Sequence, residues 1–238
     1  GGSGLTFQSI AANGAASGII LNTTGTSGGL AVTGTGSANS GGIIQNTTGV
    51  GVSLTSTANI ALNWMQIANT GSHGVSGTGV TNVGNSGTVN NSFSFTNGLL
   101  DSPGDGDNES ALFFDALAAT NITGRMTVSG TTIQNFEEVG VHVGNVSGAL
   151  VIDVTDVIFD DNSDTHGEEG IDVDASGTAN TTLNVTGTPT DLPSSAGFES
   201  TTRFINIEGG AISGTSQGSG VLDLNLTSVD ITTGTPGG

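Results

Sequence analysis

Along most of the chain, aliphatic residues fall two apart and are punctuated by glycine, the pattern of short β-strands with one apolar face. Two strand phrases recur. The first is Gly, then Val or Ile, a spacer, then Val or Leu: GVSL at 51–54, GVHV at 140–143 and GIDV at 170–173. The second is an aliphatic, a spacer, an aliphatic, then Thr or Ser: LAVTGT at 30–35, MTVSGT at 126–131, IDVTDV at 152–157, LNVTGT at 183–188 and LNLTSV at 224–229. Successive strand side chains point to opposite faces. Leu30/Val32, Met126/Val128, Ile152/Val154, Leu183/Val185 and Leu224/Leu226 are therefore the predicted interior of the second phrase.

The longest repeated string is GIILNTTG at 18–25, which returns as GIIQNTTG at 42–49 and leaves a third trace, QIANTG, ending at Gly71. The strand phrases recur at related spacings: 26 residues from Val128 to Val154, 31 from Val154 to Val185, and 30 from Val141 to Ile171. Such a period, in a chain of Gly, Thr, Ser, Asn and short aliphatics, predicts a solenoid with one coil of strands per unit. Variable spacing places insertions at the corners, as in right-handed parallel β-helices. The predicted fold is therefore an all-β right-handed parallel β-helix, one domain over 1–238 with about eight to ten coils and a loop insertion about 101–110.

Local signals refine this. ESALFFDALAATN at 109–121 reads as a buried strand, FFDAL, after a long loop, with a short capped helix as the alternative. Trp64, after Ile60 and Leu62, is expected in the core. Asn22, Asn46, Asn69, Asn97, Asn135 and Asn162 suit left-handed turn positions and are expected to stack as ladders at a corner.

Composition narrows the function classes. Apolar content is 34% and aromatic content 4%, too few large side chains for a compact single core but enough for a narrow solenoid interior. Net charge is −19, with Arg125 and Arg203 as the only Lys or Arg residues, which argues against phosphate-backbone and anionic-membrane partners. No apolar stretch reaches the roughly 18 residues of a membrane-spanning helix. With no Cys, disulfide staples and thiolate metal sites are excluded, and with no Lys so is Schiff-base chemistry. The ends, GGSG and GTPGG, are read as those of a segment from a longer protein.

Two acidic clusters are the candidate metal ligands. The first is Asp101, Asp105, Asp107 and Glu109 in DSPGDGDNE, where alternating oxygen ligands around Gly suit Ca²⁺. The second is the acidic run from Asp153 to Asp174, within which Asp160, Asp161, Asp164 and Glu168 are the calcium candidates. Carboxylates on adjacent coils sit about 4.8 Å apart and repel unless cations or solvent intervene. The same four residues are the acidic candidates of the alternative reading, a β-helical polysaccharide-active enzyme or carbohydrate-binding module, with Arg203 as the isolated basic residue. The catalytic set of polygalacturonases is not assembled, so no catalytic residue is assigned. His73, His142 and His166 form no local zinc motif and are read as surface residues, with His142 pointing outward from its strand.

GVSLTSTANIALNWMQIANTGSHGVSGTGVTN at 51–82, with the VTGT and GIDV phrases downstream, resembles the β-strand-repeat segments of large bacterial surface and secreted proteins. These are adhesin-like or autotransporter-passenger-like right-handed parallel β-helices. The resemblance covers roughly 18–231 and implies export to the cell surface, an extended stalk or fibre, and partners that are either further copies of the chain or host and surface glycans. It transfers no catalytic residue.

Overall fold

A computed structural model describes residues 4–25, 28–82, 91–104, 106, 108–116, 119–161, 169–190 and 200–232. Among these residues the chain is all-β, with twenty-one strands and no helix. Every strand–strand pairing is parallel, within a 13-stranded and an 8-stranded sheet, both curled. Each strand pairs with strands roughly one repeat earlier and later, so the chain returns to the same face at every turn.

Three faces result. The first carries the second sequence phrase in one continuous column: Leu5, Leu30, Ile60, Phe93, Met126, Ile152, Leu183 and Leu224 are successive register partners. Two residues on, Phe7, Val32, Leu62, Phe95, Val128, Val154, Val185 and Leu226 form a second column. The predicted interior pairs thus occupy one face in register, and from Leu30 to Val185 both columns are buried. The second face carries the first phrase, through Ile19, Val52, Val75, Leu112, Val141, Ile171 and Ile212. The 8-stranded sheet is the third face, with Ala12, Ile44, Ile67, Leu100, Ile133, Phe159, Phe204 and Ile231 stacked inward. Strands Val139–Thr155 and Glu169–Thr186 run through both the first and second faces, bending where the register shifts between Asn145 and Ser147. At about 4.8 Å per step, eight rungs span roughly 34 Å from first to last.

Small residues at the start of the second-face strands let the faces close together. A Cβ on Gly140 would meet Phe159 Cδ1 at 2.8 Å and the Gly170 carbonyl at 2.6 Å. The glycine of the first phrase therefore makes room for the third-face side chain of the next coil, and Phe159 stacks in turn on Phe204, with centroids 4.6 Å apart and planes 2° from parallel.

Two expectations are revised, those for the repeated strings and for Trp64, while the strand reading of 109–121 holds. The repeated GIILNTTG and GIIQNTTG strings are not coil neighbours: Ile19–Asn22 pairs with Val52–Thr55, whereas Gly42–Gln45 pairs with Met65–Ala68. The two strings lie on different faces, and only the second and QIANTG stack. The 109–121 segment contributes the strand Ser110–Phe114 in place of the helix. Trp64 sits at a corner with φ 58°, partly exposed, and Met65 takes the buried place.

Candidate functional site

Four of the six expected asparagines take left-handed corner positions; Asn22 does not, since it ends the strand Ile19–Asn22 and Thr23 carries the positive φ, and Asn162 lies outside the described residues. Asn46, Asn69, Asn97, Asn135 and Asn206 all have positive φ. Asn46 Nδ2 donates to Asn13 Oδ1 at 2.9 Å, and Asn69 Nδ2 donates to Asn46 Oδ1 at 3.4 Å. Two calcium candidates belong to this system. Asp101 lies in the strand Leu99–Pro103, where its Oδ1 accepts from Gln134 Nε2 at 3.1 Å and Asn135 Nδ2 at 2.8 Å. Asp160 Oδ1 accepts from Asn206 Nδ2 at 2.9 Å. Asp101 and Asp160 share one outward column, two rungs apart with Gln134 between them, so the fold places them as ladder acceptors about 10 Å from each other. Asp161 is buried, with 3% of its surface exposed. Glu109 Oε2 accepts from the Gly106 amide at 2.9 Å, tying down the loop between strands. Asp105, Asp107, Asp164 and Glu168 lie outside the described residues, as do Asn162 and His166.

The described residues gather a different set of ligands, on the second face. Its outward column runs Ser53, Ser76, Phe113, His142, Asp172, Ser213. Asp115 directly follows the Phe113 strand, and Asp174 lies two residues beyond Asp172 with Gly144 as its register partner. His142 Nε2 stands 3.1 Å from Asp115 Oδ2 and 3.5 Å from Asp172 Oδ2. One ligand atom each from Asp115, His142 and Asp174 lies within 4.8 Å of the other two. All three side chains are half-buried.

Neighbours fix this arrangement. A Cβ at Gly144 would overlap Asp115 Oδ1, so glycine keeps the space between the two aspartates open for the carboxylate. Thr215 Oγ1 donates to Asp174 Oδ1. The Phe113 ring meets the His142 ring edge-on, with centroids 5.5 Å apart and planes at 85°, and stacks on its other side against His73 at 4.0 Å and 7°. His73 Nδ1 accepts from the Ser110 amide at 3.0 Å, which sets its orientation. Beside the aspartates a cleft of about 170 Å³ is lined by Asp115, Gly144, Asp174, Thr215 and Gln217 among others.

The electrostatics follow from this crowding. Burial alone would pull the His142 pKa down, but the hydrogen bond to Asp115 and the charges of Asp115, Asp172 and Asp174 outweigh it and hold it above the ordinary value. Burial and then the neighbouring Asp174 raise Asp172, against the opposing pull of His142 and Ser213. Burial, Asp172 and Glu138 together raise Glu169. His73, shielded by burial, is lowered despite the nearby Glu109. Three carboxylates thus converge on one imidazole.

His142 does point outward as expected, but it and His73 are half-buried rather than plain surface residues, and its grouping with Asp115 and Asp174 was not foreseen, because these are 27 and 32 residues away in sequence. The usable signal was register: aligning LFFDAL at 112–117, VHVGNV at 141–146 and IDVDAS at 171–176 puts Asp115, Gly144 and Asp174 in one row. Elsewhere, Arg125 pairs with Asp153, whose Oδ1 also accepts from Asn184 Nδ2 at 2.8 Å. Arg203 lines a cleft of about 350 Å³ on the third face with Asp156, Thr131 and Thr201. Among the described residues, no helix is long and apolar enough to cross a membrane. No family model, curated protein or solved structure matches the chain.

Proposed function

We propose that this chain is a right-handed parallel β-helix serving as an extracellular structural and adhesive module, a rigid stalk or fibre element of a bacterial surface that associates end to end with further copies of itself. The observation that carries the reading is where its exposed apolar surface lies. Among the described residues, the large exposed hydrophobics are Leu5, Phe7 and Ile20 on the first rungs and Val221, Leu224, Leu226 and Ile231 on the last. Five of these extend the buried columns: Leu5 and Phe7 begin the two first-face columns that Leu224 and Leu226 finish, and Ile231 ends the third-face column. A second copy placed on the last rung would continue both columns, with Leu5 over Leu224 and Phe7 over Leu226. It would also pair with the N–H and C=O groups of the end strands.

The test is sedimentation velocity across protein concentration, with wild type beside a Leu224→Lys/Leu226→Lys double variant. Both positions are exposed, so the fold should tolerate them. Wild type should grow into longer species with rising concentration, and the variant should stay a single short rod. Wild type that remains a short rod at every concentration overturns end-to-end association.

The alternative, a polysaccharide-active enzyme, draws on the Arg203 cleft with its neighbouring Asp156. It requires release of sugar ends from an acidic polysaccharide and loss of that release in Arg203→Gln.

A further inference from the structure

We infer that Asp115, His142 and Asp174 form a binding site for a single first-row divalent transition metal ion of the Zn²⁺ or Co²⁺ kind, with the remaining coordination positions open to water from the adjoining cleft. The inference is independent of the rod's role; it shares Asp172 and Asp174 with the second acidic run but uses none of the calcium candidates Asp160, Asp161, Asp164 and Glu168.

Four observations carry it. First, the three residues come from successive coils, so the fold rather than a flexible loop sets their spacing, and their ligand atoms fall within 4.8 Å of one another. Ligands held 2.0–2.2 Å from a tetrahedral zinc ion are roughly 3.3–3.6 Å apart. The 3.1 Å approach of His142 Nε2 to Asp115 Oδ2 is already near that range, and a ligand atom of Asp174 lies within 4.8 Å of both. Second, Gly144 sits between the two aspartates, where any Cβ would take the position of the Asp115 carboxylate. Third, Phe113, itself stacked on His73, packs edge-on against the imidazole, whose Nε2 faces Asp115 and Asp172. Fourth, Asp172 stands 3.5 Å from the same nitrogen, so negative charge exceeds what one imidazolium can balance, and a divalent cation removes the excess.

The donor set decides the ion. An imidazole nitrogen with two carboxylates suits zinc, cobalt or nickel, whereas Ca²⁺ requires six to eight oxygens at longer distances. Binding must displace the His142 proton, so affinity rises with pH. The groups facing His142 are Asp115, Asp172 and Asp174, with Glu169 and His73 also coupled to it. Their charges modulate the midpoint of that rise, but the proton that competes with the metal is on His142.

The experiment is titration of the metal-free protein with Co²⁺, followed by its visible d–d absorption, then competition with Zn²⁺ and with Ca²⁺. Wild type should show one saturable site, displaced by Zn²⁺ and untouched by millimolar Ca²⁺, weakening as pH falls from 8 to 5.5. His142→Gln and Asp174→Asn should each lower affinity about 10-fold or more, whereas Glu208→Gln, an exposed carboxylate elsewhere, should leave it unchanged. Circular dichroism checks that the variants fold. If wild type shows only the spectrum of hydrated cobalt, or if folded His142→Gln binds as tightly as wild type, the assignment is overturned.

Discussion

Replacing Phe159 by alanine probes the packing logic of the interior. Phe159 is fully buried on the third face, stacked on Phe204 of the next coil, and lies over Gly140 of the preceding one. Truncating a buried Phe to Ala costs about 3–5 kcal/mol through lost transfer energy and the cavity left behind. The lost ring stack contributes about 0.5–1.5 kcal/mol, so the upper part of that range is expected. Gly140→Ala in the wild-type background should overpack the same spot and cost about 1–3 kcal/mol. In the Phe159→Ala background the new methyl enters vacated space and loses its 2.8 Å contact with the ring, though the Gly170 carbonyl 2.6 Å away still resists it. The two changes should therefore couple favourably, by about 1 kcal/mol. Urea denaturation followed by circular dichroism measures all three variants. In a coil stack the damage should be local, so amide exchange should accelerate first in Ile158–Asp160 and Thr202–Ile205. A Phe159→Ala loss below about 1 kcal/mol, or strictly additive effects with Gly140→Ala, would refute the claim that the glycine exists to seat the ring.

The remaining expectations concern the surface. Asn135 has φ 52° and donates to Asp101, so Asn135→Gly should lose only the hydrogen bond, about 1 kcal/mol, while Asn135→Val adds strain of about 1–3 kcal/mol; a thermal melt in which Val matches Gly would contradict the ladder reading. His142, Asp172 and Glu169 all have raised pKa values, so the folded state binds more protons than the unfolded chain over the windows they titrate. The contribution of His142 is present in full below its unfolded value near 6.5 and is lost as pH rises through its folded value. Those of Asp172 and Glu169 are likewise greatest below about pH 4 and decline above it. His73, lowered by burial, works the other way and costs stability as pH falls below its unfolded value, so the His142 part is read by difference: the gap in melting temperature between metal-free wild type and His142→Gln should be larger at pH 6 than at pH 8. Because the chain carries a net charge of −19, end-to-end association should strengthen as salt is raised from 10 to 300 mM, a shift readable by light scattering.

Much of the architecture was legible because solenoid strands repeat a simple chemical requirement. The aliphatic pairs from Leu30/Val32 to Leu224/Leu226 mark one face wherever the following residue is Thr or Ser. The intervening rungs Ile60/Leu62 and Phe93/Phe95 escaped the phrase, since a buried position asks only for apolar volume and Phe fills it as well as Val. The GIILNTTG repeat misled for a related reason. A strand followed by a left-handed Asn or Thr turn is what any corner needs, so identical strings can serve different faces, as Thr23 and Asn46 do with nearly equal positive φ. The candidate site was harder to read. Asp101 and Asp160 look like cation ligands in sequence, yet their oxygens are engaged by the corner amides of Asn135 and Asn206. The Asp115–His142–Asp174 set is assembled by register across three coils and has no local motif to announce it.

Distances between spin labels on one outward column test the coil stack most directly, and a chain without cysteine suits the labelling. Ala31, Ala61, Ser94, Thr127, Asp153, Asn184 and Asn225 are successive partners on the first face. Cysteines at Ala61 and Asn184 should lie four rungs apart, about 19 Å, and those at Ala31 and Asn225 six rungs apart, about 29 Å, before the label length is added. Separations that grow with rung number at about 4.8 Å per step are the predicted result. Equal separations for the two pairs, or separations that follow residue number instead of rung number, would contradict the stack.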